Sequence, residues 1–314
     1  MVNKTNILQI DREDIFALFP PLHKRINKGD AGRVLCVCGS YDPTGSAMCG
    51  AAYFSASAAY KCGAGIVEIF THRKNYEALA SLIPEAVFSL YDTEAENAED
   101  ICSRLTKQIE KADSVILGCG LGKSALSQQL VKTTLLNVNC PLIIDADGLN
   151  IISDDKSLIA LMSNEQKART IITPHPGEMS RLCGITISEI LSDTVGVARS
   201  FADQNGVICL LKDNKTVITD GNTVFVNHSG NPGMASAGMG DVLAGMIGAI
   251  IARNTISDLV RSERLDICQA LYRAATAAYV HGLAGDIARD ELGEYSLTAS
   301  DVVRSIPKAI KSNK

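Results

Sequence analysis

Short apolar runs alternate with longer helical patterns along most of this chain, and that alternation limits the available folds more than any other feature. Val34–Cys38, Ile66–Phe70, Ala86–Leu90, Ser114–Leu117, Leu142–Asp145 and Ile171–Thr173 read as short strands. Between them, helical spacing covers about Ala47–Cys62, Asn75–Ile83, Ala98–Lys111 and Leu126–Leu135. A further helix over Glu178–Leu182 follows Pro176-Gly177. Strand–helix alternation of this kind implies crossover units and a mostly parallel sheet with helices on both faces. After Val207 the pattern changes to three short strands, Val207–Leu211, Thr216–Thr219 and Thr223–Val226, with a tight turn at Asp220-Gly221-Asn222. They predict antiparallel strands at the edge of the parallel sheet. In Val242–Ile251, Val242, Leu243, Met246, Ile247, Ile250 and Ile251 share a helical face, and Gly245, Gly248 and Ala249 leave room for close packing. Helices are expected around Asp266–His281 and from Thr298, with Asp301 at capping-box distance. Residues 1–30 form a lead-in whose helix, Asp11–Phe19, is capped by Asp11 and stopped by Pro20-Pro21. No linker or repeat interrupts the chain, so residues 1–314 read as a single domain.

The formal charge of −5 comes without a basic stripe, which argues against a nucleic-acid partner. Ten cysteines are scattered without a Cys-x-x-Cys pair, and Cys36, Cys38 and Cys209 lie inside apolar runs. They behave as small hydrophobes, and a reducing cytoplasm suits them best. Asp11-Arg12-Glu13-Asp14 interrupts any N-terminal apolar segment early, and Val242–Ala252, the longest apolar run, is too short to span a bilayer. No membrane association is expected.

In open parallel sheets, ligands bind beyond the C-terminal ends of the strands. Six loops converge there: Gly39–Gly45, Gly118–Gly122, Asp145–Asn150, Thr173–Glu178, Lys212–Lys215 and Asn231–Asp241. The last ends in Gly238-Met239-Gly240-Asp241 and opens directly onto an apolar helix. Unpaired N–H groups and the macrodipole make such a start attractive to anions, and glycines admit a phosphate close to the backbone. Asp241 is then a candidate general base; a helix N-cap is the plainer alternative. Gly118–Gly122 is either a pyrophosphate cradle or a tight strand–helix turn. Asp145–Asn150 ends a strand with two carboxylates, Asp145 and Asp147, which can hold Mg²⁺ through water, with Asn150 and Glu178 as further candidates; the alternative gives Asp147 an N-cap or Asx-turn role. His175, stiffened by Pro174 and Pro176, is a substrate contact or an ordinary loop histidine, and it has no partners at zinc-ligand spacing. Lys212-Asp213-Asn214-Lys215-Thr216 can meet nucleotide phosphates, or form a solvated hairpin turn. His281–Asp286 reads as the capped, close-packed end of a long helix.

In order, Lys28-Gly29, Gly32-Arg33-Val34, Gly39-Ser40, Gly118–Gly122, Asp145–Asn150, Thr173–Met179, Asn231–Asp241 and His281–Asp286 resemble the ADP/ATP-dependent NAD(P)H-hydrate dehydratases of the ribokinase-like superfamily. The resemblance runs from about Asp11 to the C-terminus. It implies a ribokinase-like three-layer α/β fold and a metabolite-repair lyase. Such an enzyme uses ADP or ATP, with Mg²⁺, to phosphorylate the ring hydroxyl of the (S)-hydrate of NADH or NADPH (NADHX, NADPHX). It then expels phosphate to restore the reduced cofactor. By match, Ser46, Gly120, Gly122, His175 and Asp241 meet the hydrate, and Lys212, Asp213, Asn214, Lys215, Thr216, Gly238 and Gly240 meet the nucleotide. Asp241 takes the hydroxyl proton. The family usually has Ala at Ser46, Gly at Asp213 and Thr at Met239, and these departures bear on the choice between ADP and ATP. The resemblance further implies a homo-oligomer, plausibly a tetramer. About thirty residues precede the first strand, so no fused epimerase domain is expected within this sequence; either a separate NAD(P)H-hydrate epimerase is the functional partner or the sequence is excised from a bifunctional protein. The rival readings are a ribokinase-like kinase for a vitamin precursor or sugar alcohol, and a nucleotide-binding regulator that has lost catalysis.

Overall fold

The computed structural model describes residues 7–20, 22, 24–42, 46–162, 170–253 and 267–311. Pro21, the 43–45 part of the Gly39–Gly45 loop and Asp266 lie outside these residues. The strands are β1 (Ile7–Leu8), β2 (Arg33–Val37), β3 (Tyr41–Asp42), β4 (Ser46–Ala47), β5 (Ile66–His72), β6 (Val87–Tyr91), β7 (Ser114–Leu117), β8 (Leu142–Ile144), β9 (Thr170–Ile172), β10 (Ile208–Leu211), β11 (Thr216–Thr219) and β12 (Val224–Asn227). Ten of them form one sheet, in the order β1-β12-β11-β10-β9-β8-β7-β2-β5-β6, and β3 and β4 make a separate hairpin. Pairing is parallel from β10 through to β6 and antiparallel across β10-β11-β12. Beyond the antiparallel pair, β1 adds parallel to β12, as an outermost strand that the sequence pattern did not reveal.

The helices are α1 (Arg12–Leu18), α2 (Cys49–Lys61), α3 (Tyr76–Leu82), α4 (Ala98–Ile109), α5 (Ala125–Asn137), α6 (Asp147–Asp154), α7 (Pro176–Cys183), α8 (Ile187–Ser192), α9 (Thr194–Asn205), α10 (Met239–Ala252), α11 (Ile267–Leu292) and α12 (Ala299–Lys311). Strand alternation divides the core in two, because successive side chains point to opposite faces. Val34, Cys36, Ile116 and Ile143 join α2, α10, α11 and α12 in one cluster. Leu35, Val37, Val115, Leu117, Leu142 and Ile144 pack with α4, α5, α6, α7 and α9 in the other. The result is the expected three layers. Because β2 has β5 on one side and β7 on the other, strand order reverses between β2 and β7. Gly39 and Cys119, just past those two strands, are joined by a bond from Gly39 N–H to the Cys119 carbonyl at 2.9 Å. Crevices at such reversals are where ligands bind.

Helix α10 lies directly against α2 and reaches this reversal with its N-terminus. Gly245 permits the approach: a Cβ built there falls 2.1 Å from the Ser55 carbonyl oxygen. Neither backbone can yield cheaply, so Gly245→Ala is expected to cost about 1–3 kcal/mol through overpacking. Thermal melting checks it, and an unchanged midpoint refutes the contact.

At the end of α11 the fold departs from the expected element boundary by more than a turn. His281–Asp286 does not end a helix; α11 continues to Leu292. The packing half of the expectation holds. Ser229 Oγ donates to the Tyr279 carbonyl at 2.9 Å, and Asp286 accepts from Gly230 N–H at 3.0 Å and from Asn231 Nδ2 at 3.1 Å. Asp286 therefore caps the neighbouring loop rather than its own helix. Glycines at 282 and 285 look like a terminator in sequence, but tertiary contact carries the helix through them.

Candidate active site

The loops after β8, β9, β10 and β12 and the N-terminus of α10 enclose a cavity of about 890 Å³. At its floor stands Asp145, immediately past β8 and only 2% exposed. One of its oxygens accepts from Lys212 Nζ at 2.6 Å and from Thr173 Oγ1 at 2.7 Å. The three residues come from the ends of adjacent strands β8, β9 and β10, so sheet register brings them together. Burial opposes the Lys212 charge, but Asp145 and then Glu178 more than offset it, leaving its pKa above the ordinary lysine value. The backbone of Ala146 supports this corner in a left-handed conformation (φ 48°), a strained state for a residue with a side chain.

Asp241 lies in the first turn of α10, partly buried, with its carboxylate within 4.8 Å of Cys119 Sγ and the Asp145 carboxylate. Burial, and then the Asp145 charge, push its pKa up to about 7, against the opposing pull of Cys119 and Lys212. A carboxyl held there changes protonation state near neutrality, which suits a general base. The α10 start is capped by Gly238 in the left-handed region (φ 90°), which turns the chain so that Met239, Gly240 and Asp241 begin the helix. A Cβ on Gly240 would stand 3.2 Å from Asp145 and 3.3 Å from Lys212. Gly240 therefore borders the same corner as the lysine, at a helix start whose first N–H groups have no intrahelical partner.

Of the residues singled out in sequence, His175, Glu178, Lys212, Asp213, Asn214, Thr216, Gly238, Gly240 and Asp241 line the cavity. Ser46, Gly120, Gly122, Lys215, Asp147 and Asn150 are not in its lining. Ser46 is exposed on the β3–β4 hairpin, where it pairs with Asp42. Gly120 is buried in the β7–α5 turn. Gly122 N–H donates to Asp147 at 2.8 Å, and Asn150 accepts from Arg181 Nη2 at 2.8 Å. These bonds give Asp147 and Asn150 local structural work between the α5 and α6 turns. His175 caps α7: its Nδ1 accepts from Gly177 N–H at 3.0 Å, and Glu178 reciprocates by accepting from His175 N–H at 2.8 Å. Its imidazole, half exposed, still borders the cavity.

Sequence reasoning left Asp145 undistinguished from Asp147 and passed over two further residues of this corner. Asp145 and Asp147 sit two apart in one string, and the sequence could not choose between them. Thr173 and Cys119 carried no signal, because their importance lies in strand-to-strand adjacency.

A ten-stranded, mostly parallel sheet with an antiparallel edge pair, and a Gly-x-Gly-Asp helix start beside a lysine-bearing cavity, define a ribokinase-like α/β protein. The family model for NAD(P)H-hydrate dehydratase matches residues 34–308, and the chain belongs to that family. It is 34% identical over 290 residues to the bifunctional NAD(P)H-hydrate repair enzyme Nnr of Moorella thermoacetica, covering 91% of this chain and 50% of that protein. It thus spans about half the length of the first curated relatives it matches. It is 33% identical over 255 residues to the ADP-dependent (S)-NAD(P)H-hydrate dehydratase of Streptococcus thermophilus, covering 80% of this chain and 84% of that one. Among solved structures, the ADP/ATP-dependent NAD(P)H-hydrate dehydratase of Bacillus subtilis, co-crystallized with ATP/Mg²⁺, aligns with a TM-score of 0.80 at 26% identity. That alignment covers 98% of this chain and 99% of the other.

Proposed function

We propose that this chain carries out ADP- or ATP-dependent dehydration of the (S)-hydrate of NADH or NADPH. The observation that carries the reading is Asp241: a carboxyl with its pKa raised to about 7, at an anion-binding helix start, facing a cavity that also holds Lys212. Asp241 accepts the proton of the ring hydroxyl as that oxygen attacks the terminal phosphorus of the nucleotide. The bridging P–O bond breaks, releasing AMP from ADP or ADP from ATP. The N–H groups at the α10 start and the Lys212 ammonium stabilise charge on the transferring phosphoryl group. In the second step the ring nitrogen's lone pair expels phosphate, and the adjacent ring carbon loses a proton to restore the dihydronicotinamide. No strong acid is required.

The nucleotide belongs in the cavity, along Lys212, Asp213, Asn214, Thr216, Gly238 and Gly240, with Lys215 at its outer margin. The hydrate approaches Asp241 from the side of Ser46, Gly120 and Gly122, with His175 at the boundary. Mg²⁺ suits oxygen donors and bound phosphates. Asp145, Glu178 and Asp241 supply carboxylate oxygens on the cavity wall, whereas the nearby Cys119 thiol is a poor ligand for it. When bound, the ion neutralises phosphate charge. Six buried thiols support a reducing, cytoplasmic setting, and among the described residues no helix is long and apolar enough to cross a membrane. Because only the (S)-hydrate is consumed, an NAD(P)H-hydrate epimerase activity supplies it from the (R)-form. A homo-oligomer, tetrameric by resemblance, is the expected assembly.

The test is incubation with NADHX, Mg²⁺ and either ADP or ATP, following the return of reduced-nicotinamide absorbance. Recovery with at least one nucleotide is expected. Accumulation of a stable phosphorylated product would mark a kinase instead, and no reaction with folded protein rejects both.

A further inference from the structure

Helix α11 runs behind the part of the cavity wall that leads into the α10 turn. Ser229, Gly230, Asn231, Pro232 and Met234 line the cavity, whereas Asp286 does not. This wall rests on the helix where glycines leave room. A Cβ at Gly282 would fall 2.2 Å from Ser229 Oγ, and one at Gly285 would fall 2.2 Å from Met234 Sδ. Asp286, the next residue, fastens the same segment. Its Oδ2 accepts from Gly230 N–H at 3.0 Å and its Oδ1 from Asn231 Nδ2 at 3.1 Å. The other end of the Asn231 amide, Oδ1, accepts from Gly233 N–H at 3.1 Å and caps the 3-10 turn Pro232–Met234. The partners fix that orientation, since a flipped amide would set its oxygen against the carboxylate and its NH₂ against an N–H. Arg289 Nη1, one turn further along α11, donates to Asp286 Oδ1 at 3.3 Å.

The reacting corner is held by other means. Lys212, Asp145 and Thr173 are tied together across the ends of β8, β9 and β10, and α10 is docked on α2 at Gly245. The hydrogen bonds of Asp286 go to the wall and to Arg289 instead. We infer, on the reading that the nucleotide occupies this cavity, that Asp286 is a positioning residue for nucleotide binding. From behind the wall it holds Gly230 and Asn231 in the geometry that binds nucleotide, and the chemical step does not depend on it. A charge effect would run the other way. Asp286 is an anion behind a site for an anion, so removing its charge alone favours nucleotide binding. Weaker binding without it therefore reports the lost hydrogen bonds.

Calorimetric titration of the whole chain with ADP, beside steady-state kinetics with NADHX, tests it. Asp286→Ala is expected to bind ADP about tenfold more weakly, because two bonds to a charged acceptor are lost and the wall is released. At saturating ADP, kcat and the KM for NADHX are expected to stay within about twofold of the wild type. Asp286→Asn removes the same charge but keeps one acceptor oxygen, so its ADP affinity is expected to fall between the other two. An Asp286→Ala protein that binds ADP as tightly as the wild type, or more tightly, overturns the inference. So does a fall in kcat or a rise in the NADHX KM that matches the loss of ADP affinity, because a general loosening of the fold moves all three. Should Asp286→Ala fail to fold, wild-type ADP affinity in Asp286→Asn overturns it alone, and weakened affinity with kcat retained supports it. Either contrary result beside a wild type that binds ADP removes the role of Asp286 only. A wild type that binds neither ADP nor ATP removes the nucleotide reading together with this one.

Discussion

Asp241→Asn is expected to lower turnover of the hydrate by about a thousandfold or more, while ADP and ATP still bind. General-base contributions are typically ~10²–10⁴-fold, and the amide cannot take the hydroxyl proton. The anion cradle is built from backbone and Lys212, which the substitution leaves in place. Steady-state kinetics with separate nucleotide titrations check the split; lost binding with catalysis spared at saturation shows that Asp241 has a different role. The wild-type pH profile follows from the same carboxyl. A base is active when deprotonated, so kcat/KM is expected to rise with pH, pass half-maximum near the Asp241 pKa of about 7, and then level off. The stability effect runs in the opposite direction. Asp241's folded pKa is raised above the ordinary 3.8, so its stabilising contribution is full below that value. It is lost as pH rises toward 7. Above pH 7 the unliganded wild type carries an ionised, partly buried carboxylate beside Asp145. Asp241→Asn removes that cost, on the order of 2–4 kcal/mol, and melts higher at pH 8 but not at pH 4. A catalytic group that weakens its own fold is a common signature of function.

Lys212→Met is expected to be the most damaging single change to the cavity. Asp145 is 2% exposed and depends on Lys212 at 2.6 Å, with only the Thr173 hydroxyl as its other partner on that oxygen. Removing one member of a buried ion pair leaves the other uncompensated, at a cost of about 3–5 kcal/mol. For a domain of this size that lowers the melting midpoint by roughly 5–10 °C. Lys212 also restrains the upward shift of Asp241, so residual activity is expected to have its pH profile displaced to higher pH. The double change Asp145→Asn with Lys212→Met separates the two roles. It recovers most of the lost stability, because no charge is stranded, but not the affinity for nucleotide. A single variant that melts within a degree or two of the wild type rejects the dependence of Asp145 on Lys212.

The layered α/β fold was legible because its signal is local and repeated. Ser114–Leu117 is observed with the boundaries read from its apolar run, and Val242–Ile251 lies within α10 as its helical spacing required. Elements escaped where the local signal was weak. At two residues, Ile7–Leu8 is too short to show a period, and it becomes a strand only by pairing with β12. The capping box of Thr186 with Glu189 marks α8, yet the weakly periodic stretch after it did not read as helix.

The candidate site divides along the same line. Sequence by itself determined the strand–helix alternation, the Gly-x-Gly-Asp helix start and the ordered motifs that mark the family, because each depends on residues close together in the chain. Tertiary structure alone chose Asp145 over Asp147 as the partner of Lys212 and carried α11 through His281. Those outcomes depend on helix docking and on sheet register, which in the Lys212–Asp145 pair joins residues 67 positions apart.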